Sequence, residues 1–255
     1  MQDERRPPFG EPDFRPDSSK AGAIYQRIKS VLLMHRVPPS TFLNIRTLAA
    51  ALKVSPTPVR EALIRLANEE IILQAPSGRG FFSRPPRLDE LAGEYEAAMI
   101  AVTHTLFKHG SKLVAADLGP APAKRRPSRS VPLVATDIAA WIAWRERLYR
   151  WIVRASENAV LQRLVDRFIE AARFLTAHDL AQADRFQEVA DALYRCAAAL
   201  GSGAIAEAAS ILELQNAAEI ALIPDHLHSV LRKAAIDDLT LEAVLAARED
   251  VRGQT

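Results

Sequence analysis

From Ala21 to His35 the apolar residues Ile24, Ile28, Val31 and Leu32 fall on one side of a helix, and Pro38-Pro39 ends the pattern. A second run, Ile45, Leu48, Ala49 and Leu52, keeps helical spacing but halts at Lys53-Val54, too short to persist as an isolated helix, so it must pack on a neighbour. A third starts after Ser55, whose hydroxyl is placed to accept from the unpaired first amides. Pro56 suits the first helical position, where its missing N–H would have had no partner. Val59, Ala62, Leu63, Leu66 and Ala67 form the stripe of this helix, while Thr57, Arg60, Glu61, Ile64 and Arg65 lie off it or at its edge. The period then shortens: Ile71 to Gln74 and Gly80 to Ser83 read as two strands around Pro76-Ser77-Gly78-Arg79, a hairpin.

Pro85-Pro86-Arg87 makes a stiff connector, and a helical pattern from Leu88 to about His109 follows through Leu91, Tyr95, Met99, Val102 and Leu106. Residues 110–132 lose periodicity and carry prolines and the basic cluster Lys124-Arg125-Arg126 with Arg129, which reads as a surface loop. Helical stripes return over 137–155, 158–177, 179–200 and 204–223, with Gly201-Ser202-Gly203 and Pro224 as stops and a last helix over 227–248. Amphipathic helices joined by short turns bury their stripes against one another as an antiparallel bundle, and bundles commonly hold ligands between helices. The expected fold is mainly α: a winged helix-turn-helix with a small β-hairpin over 21–84, a linker at 85–87, and an all-α antiparallel bundle over 88–255. Residues 1–20, rich in Pro, Asp, Arg and Ser without periodicity, read as a mobile arm in which Arg5 and Arg6 are solvated.

Composition narrows the function. The 255 residues are 49% hydrophobic and 25% charged, ordinary for a globular chain, and the net charge is only +2. Any affinity for nucleic acid must then come from a local basic face and not from the molecule as a whole. The single cysteine, Cys196, lies among alanines and excludes an internal disulfide or a cysteine-rich zinc module. No apolar run approaches the roughly 20 residues that span a bilayer, and the N-terminus lacks a signal-peptide core, so a soluble, cytoplasmic protein with no membrane partner is expected. There is no nucleophile elbow, phosphate loop or dinucleotide motif, which argues against an enzyme. Two helices meeting at a tight turn, with Thr57 and Arg60 at the exposed start of the second, instead fit the geometry that enters a DNA major groove.

The run Leu-Ala-Ala-Ala-Leu-Lys-Val-Ser-Pro-Thr-Pro-Val-Arg-Glu-Ala-Leu-Ile-Arg-Leu from Leu48, followed by Gly-Arg-Gly-Phe-Phe from Gly78, closely resembles the winged helix of GntR-family bacterial transcription regulators. The resemblance implies that Arg46 touches a phosphate, that Ser55, Thr57 and Arg60 face the DNA, with Arg65 further along the same helix, and that Gly78, Arg79 and Gly80 approach the minor groove. Where the family commonly has arginine after the serine, this chain has Pro56, which removes one base contact.

The order winged helix, connector, helical bundle resembles the FadR-type subgroup, as do Ala155-Ser156-Glu157-Asn158 and Ala199-Leu200-Gly201-Ser202-Gly203. This implies a homodimer on palindromic double-stranded DNA, a repressor whose operator affinity a small effector modulates through the bundle. Many such proteins hold a divalent metal with an Asp and three His. The matching positions here are Arg145, Tyr149, the vicinity of Leu193, and Gln215, which cannot form that cage, so no metal or other cofactor is expected. His226 and His228 do not share a helical face, and the histidines read as surface or packing residues. Arg145 and Tyr149, spaced i, i+4, together with Gln215, suit a small organic acid as effector, the alternative being that Arg145 lies outside the cavity and pairs with a surface acid, and Trp141, Trp144 and Trp151 read as core or interface. The competing reading is a dimeric DNA-binding adaptor whose bundle senses nothing. Operator, effector and regulated pathway are not legible in the sequence.

Overall fold

The computed structural model describes residues 20–78, 80–113, 115–123 and 134–252. The N-terminal arm with Arg5 and Arg6, wing residue Arg79 and the basic cluster Lys124 to Arg129 lie outside the described residues.

The head is built from α1 (Lys20–Leu32), α2 (Ile45–Ala51), α3 (Pro56–Asn68), β1 (Ile72–Gln74) and β2 (Phe81–Ser83). The strands pair antiparallel, Leu73 opposite Phe82. Residues 40–43 line the other edge of β2, where the Leu43 amide donates to the Phe81 carbonyl at 2.8 Å and the Ser83 amide to the Thr41 carbonyl at 3.0 Å. The stripes that the periodicity picks out meet in one core: Ile28, Val31, Leu48, Val59, Leu63 and Leu66 are all buried, and Ile72 and Phe81 add the hairpin to it. Burial against α3 and, as described below, against the C-terminal helix is what holds the seven-residue α2, which would not persist alone.

The second core belongs to α4 (Leu88–His109), α5 (Ala135–Arg154), α6 (Ala159–Leu180), α7 (Ala183–Gly201) and α8 (Ile205–Asp237). Trp141, Trp144, Leu148, Phe168, Phe186 and Leu212 are among its buried residues. Asn158 caps α6, its side chain accepting from the Val160 amide at 2.9 Å and the Leu161 amide at 3.4 Å. The head abuts this bundle through the end of α1, where His35 meets Phe174 edge-on with ring centroids 4.5 Å apart and Lys29 reaches Glu170 at 2.7 Å.

Two expectations at the C-terminus change. Pro224 does not stop a helix: α8 runs through it to Asp237 and ends at Asp238, in the left-handed region at φ 41°. The ring sits on the exposed side, and burial of Ile223 and Leu227 on either side of it keeps the helix on the bundle despite the lost hydrogen bond. The final helix is α9 (Leu241–Arg252), and its apolar face does not join the bundle. Leu241, Val244 and Leu245 are buried in the core of the head, against α1 and α2, and Arg27 donates from Nη2 to the Leu245 carbonyl at 3.1 Å.

Candidate nucleic-acid interface and bundle centre

Asn44 starts α2: its Oδ1 accepts from the Arg46 amide at 2.9 Å and the Thr47 amide at 3.4 Å. The turn to α3 passes through Lys53 in the left-handed region, φ 54°. Ser55 holds the N-cap position in an extended conformation, φ −71° and ψ 158°, but its side chain makes no capping bond, contrary to expectation. Its hydroxyl, Thr57 and Arg60 are exposed at the start of α3, and Arg46 is exposed at the start of α2. The start of α3, whose first amides no side chain caps, carries partial positive charge, and with the Arg46 and Arg60 guanidinium groups it forms an anion-facing surface. Glu242 intrudes on it from α9, accepting from the Thr47 hydroxyl.

The wing tip needs its glycines. Gly78 and Gly80 have φ of 70° and 131°, and a Cβ on Gly80 would lie 2.9 Å from the Phe42 ring. Arg65 is engaged elsewhere. Its Cζ lies 3.9 Å from the centre of the Tyr25 ring and its Nε donates to Glu69 at 3.1 Å, so the residue expected on the DNA side braces α3 against α1. Burial and the Glu69 carboxylate, which accepts from the Tyr25 hydroxyl, hold the phenol above its usual range.

In the bundle the structure brings Arg145, Tyr149 and Gln215 together, but around a carboxylate of the chain itself. Arg145 donates from Nη2 to Glu219 at 2.6 Å and from Nη1 to Thr176 Oγ1 at 2.6 Å, while Gln215 Nε2 donates to the other Glu219 oxygen at 2.9 Å. Burial alone would lower the Arg145 pKa; the Glu219 carboxylate outweighs it and raises the pKa above its usual value. The Tyr149 ring stands 5.3 Å from the guanidinium carbon, and burial pushes its phenol up to about 12. Two cavities of about 10 Å³ flank the group. One lies beside Arg145, Tyr149 and Phe168, the other beside Tyr95, Asp179, Glu219 and His226. Each has room for no more than roughly one water. Sequence reading found the cation and missed its anion. The signal was Glu219 alone among Ala217, Ala218, Ile220 and Ala221, one helical turn after Gln215. Among the described residues no group of three or more His, Cys, Asp and Glu is placed to hold a metal, and no helix is long and apolar enough to cross a membrane.

Residues 20–82 match the family model described as bacterial regulatory proteins, gntR family. Over most of its length the chain shares the fold of McbR/YncC from E. coli (TM-score 0.58, 18% identity, 81% of this chain and 98% of that one). It also shares that of a putative transcriptional regulator GntR from Rhodococcus sp. RHA1 (0.59, 16%, 82% and 99%) and of Lar from Listeria monocytogenes (0.55, 14%, 84% and 99%). The chain has no significant match among curated proteins.

Proposed function

We propose that the chain, whose residues 20–82 match the gntR family model, is a transcription regulator and not an enzyme, and that it represses transcription by binding a palindromic operator as a homodimer. The observation that carries this reading is the exposed, unfilled N-terminus of α3, where the Ser55 hydroxyl, Thr57 and Arg60 stand free of capping duties beside Arg46. In this reading Arg60 and Thr57 meet base edges, Arg46 meets phosphate, and the turn at Gly78 and Gly80 lets the wing backbone approach the minor groove. Recovery of genomic fragments bound by the full chain tests the proposal. A shared inverted-repeat site should be enriched, and Arg60→Ala should abolish that enrichment; fragments indistinguishable from bulk DNA would sink it.

The Arg145–Glu219 pair favours the adaptor reading, in which the bundle dimerises and positions the heads without sensing a ligand, because the anion slot is already taken. A small organic acid held by Arg145, Tyr149 and Gln215 would have to displace Glu219. Glu219→Gln vacates the charge while preserving the shape. Stabilisation of that variant by small carboxylates, seen as a raised melting temperature absent from Arg145→Met/Glu219→Gln, would restore the sensor.

A further inference from the structure

α9 leaves α8 at Asp238, in the left-handed region, and crosses from the bundle to α1 and α2. Thr240 starts it: its hydroxyl accepts from the Ala243 amide at 3.3 Å and its carbonyl from the Val244 amide at 3.1 Å. Leu241, Val244 and Leu245 then enter the core of the head, and this apolar edge fixes where the polar edge must lie. Glu242, in the first turn and only half-buried, is carried to α2, where its carboxylate accepts from the Thr47 hydroxyl. Thr47 is exposed and follows Arg46, the residue assigned above to phosphate.

A hydroxyl has one proton to give. Two acceptors lie within reach of the Thr47 hydroxyl, the Asn44 carbonyl at 3.0 Å and the Glu242 carboxylate, and the charged oxygen wins because charge-assisted hydrogen bonds are the stronger. Glu242 thereby withdraws a donor that a phosphate oxygen would use, and sets a negative charge where another must approach. Among the described residues no Lys or Arg forms an ion pair with Glu242. We infer that α9 is an autoinhibitory strap: docked on α1 and α2, it holds the Glu242 carboxylate on Thr47 in the place of an operator phosphate, and duplex DNA must displace it to bind. The inference rests on the reading that puts Arg46 on phosphate, and adds a regulation to that contact. α9 spans 12 residues, too few to persist as an isolated helix, so it keeps its form only by docking and is displaceable. It is joined to α8, the helix that carries Gln215 and Glu219 in the bundle centre, so the strap is tethered to the bundle and not to the head. The competition is reciprocal: whatever the docked strap costs the DNA, bound DNA costs the strap.

The test uses the full-length protein and a short duplex of arbitrary sequence, because phosphate is common to every duplex. Affinity is measured at low salt by fluorescence anisotropy for the wild type, Glu242→Gln, Arg46→Ala and Glu207→Gln. Hydrogen exchange of the α9 amides is followed with and without the duplex in the wild type and Glu242→Gln. Glu207 is exposed at the opposite end of α8, beside the end of α4 remote from the head, so Glu207→Gln makes the same change of net charge away from the DNA. The expected result is that Glu242→Gln tightens binding about 2–5-fold while Glu207→Gln leaves it unchanged. The duplex should accelerate exchange in α9 of the wild type and not of Glu242→Gln. Arg46→Ala should weaken binding; wild-type affinity in that variant overturns the phosphate placement and the strap with it. Weakened binding in Arg46→Ala with no tightening in Glu242→Gln, or with equal tightening in Glu207→Gln, overturns the strap alone. Exchange in wild-type α9 that the duplex leaves unchanged or slows also overturns it, and leaves Glu242 as no more than a surface charge.

Discussion

Arg145 and Glu219 sit in the bundle at 6% and 7% side-chain exposure, and the energy of such a pair depends on which partner is lost. Removing one charge strands the other away from water. Glu219→Ala should therefore cost about 3–5 kcal/mol in urea unfolding, whereas the apolar double replacement Arg145→Met/Glu219→Leu should be near neutral or stabilising. If Glu219→Ala costs no more than a surface substitution, the pair is not buried as described. The i, i+4 spacing of Arg145 and Tyr149 made their shared face readable, and Gln215 followed from the resemblance. Thr176 and Glu219 were not readable as partners, because which faces of α6 and α8 meet α5 depends on packing between helices and not on the period within one. His35 gives a second residue-scale expectation. Burial lowers its pKa from 6.5 to about 4, so the unfolded chain takes up a proton that the folded chain resists. Its contribution to stability is complete above its unfolded pKa and is lost as pH falls through the window from 6.5 to about 4. Because the ring is partly exposed, a loss of about 1–2 kcal/mol is expected, measured as unfolding free energy against pH. His35→Asn, which tolerates the φ of 47° at this position, should flatten that slope.

Helical periodicity located most elements to within a few residues, and it failed where the pattern alone cannot say what a stripe faces. The apolar positions Leu241, Val244 and Leu245 identify a helix equally well whether it joins the bundle or crosses to the head. What the pattern lacks is the turn at Asp238, where a non-glycine residue adopts a left-handed conformation and redirects the chain. The consequence is that the C-terminal helix helps to hold the DNA-binding element. Leu245→Ala should cost about 2–5 kcal/mol, as for other buried leucines, and hydrogen exchange should rise in α1 and α2 before the bundle. Uniform acceleration across both regions would argue that α9 does not belong selectively to the head. The same helix places Glu242 against Thr47, beside the start of α2 where a phosphate is expected. A carboxylate there opposes phosphate binding, so Glu242→Gln should tighten operator binding by roughly 2–5-fold at low salt and by less as salt screens it.

For the whole molecule, a net charge of +2 on 255 residues means that binding to DNA rests on local basic faces and not on bulk attraction. Each neutralised phosphate contributes about −0.9 to the slope of log affinity against log salt. A dimer presenting Arg46 twice should therefore lose close to two units of slope magnitude in Arg46→Ala, and a single head only about one. Arg60→Ala has a different signature, because a guanidinium at a base edge carries sequence information as well as charge. It should lower affinity for the operator by about 1–3 kcal/mol while leaving binding to unrelated DNA much less affected. Measured together by fluorescence anisotropy over a salt series, the two variants separate positioning from reading.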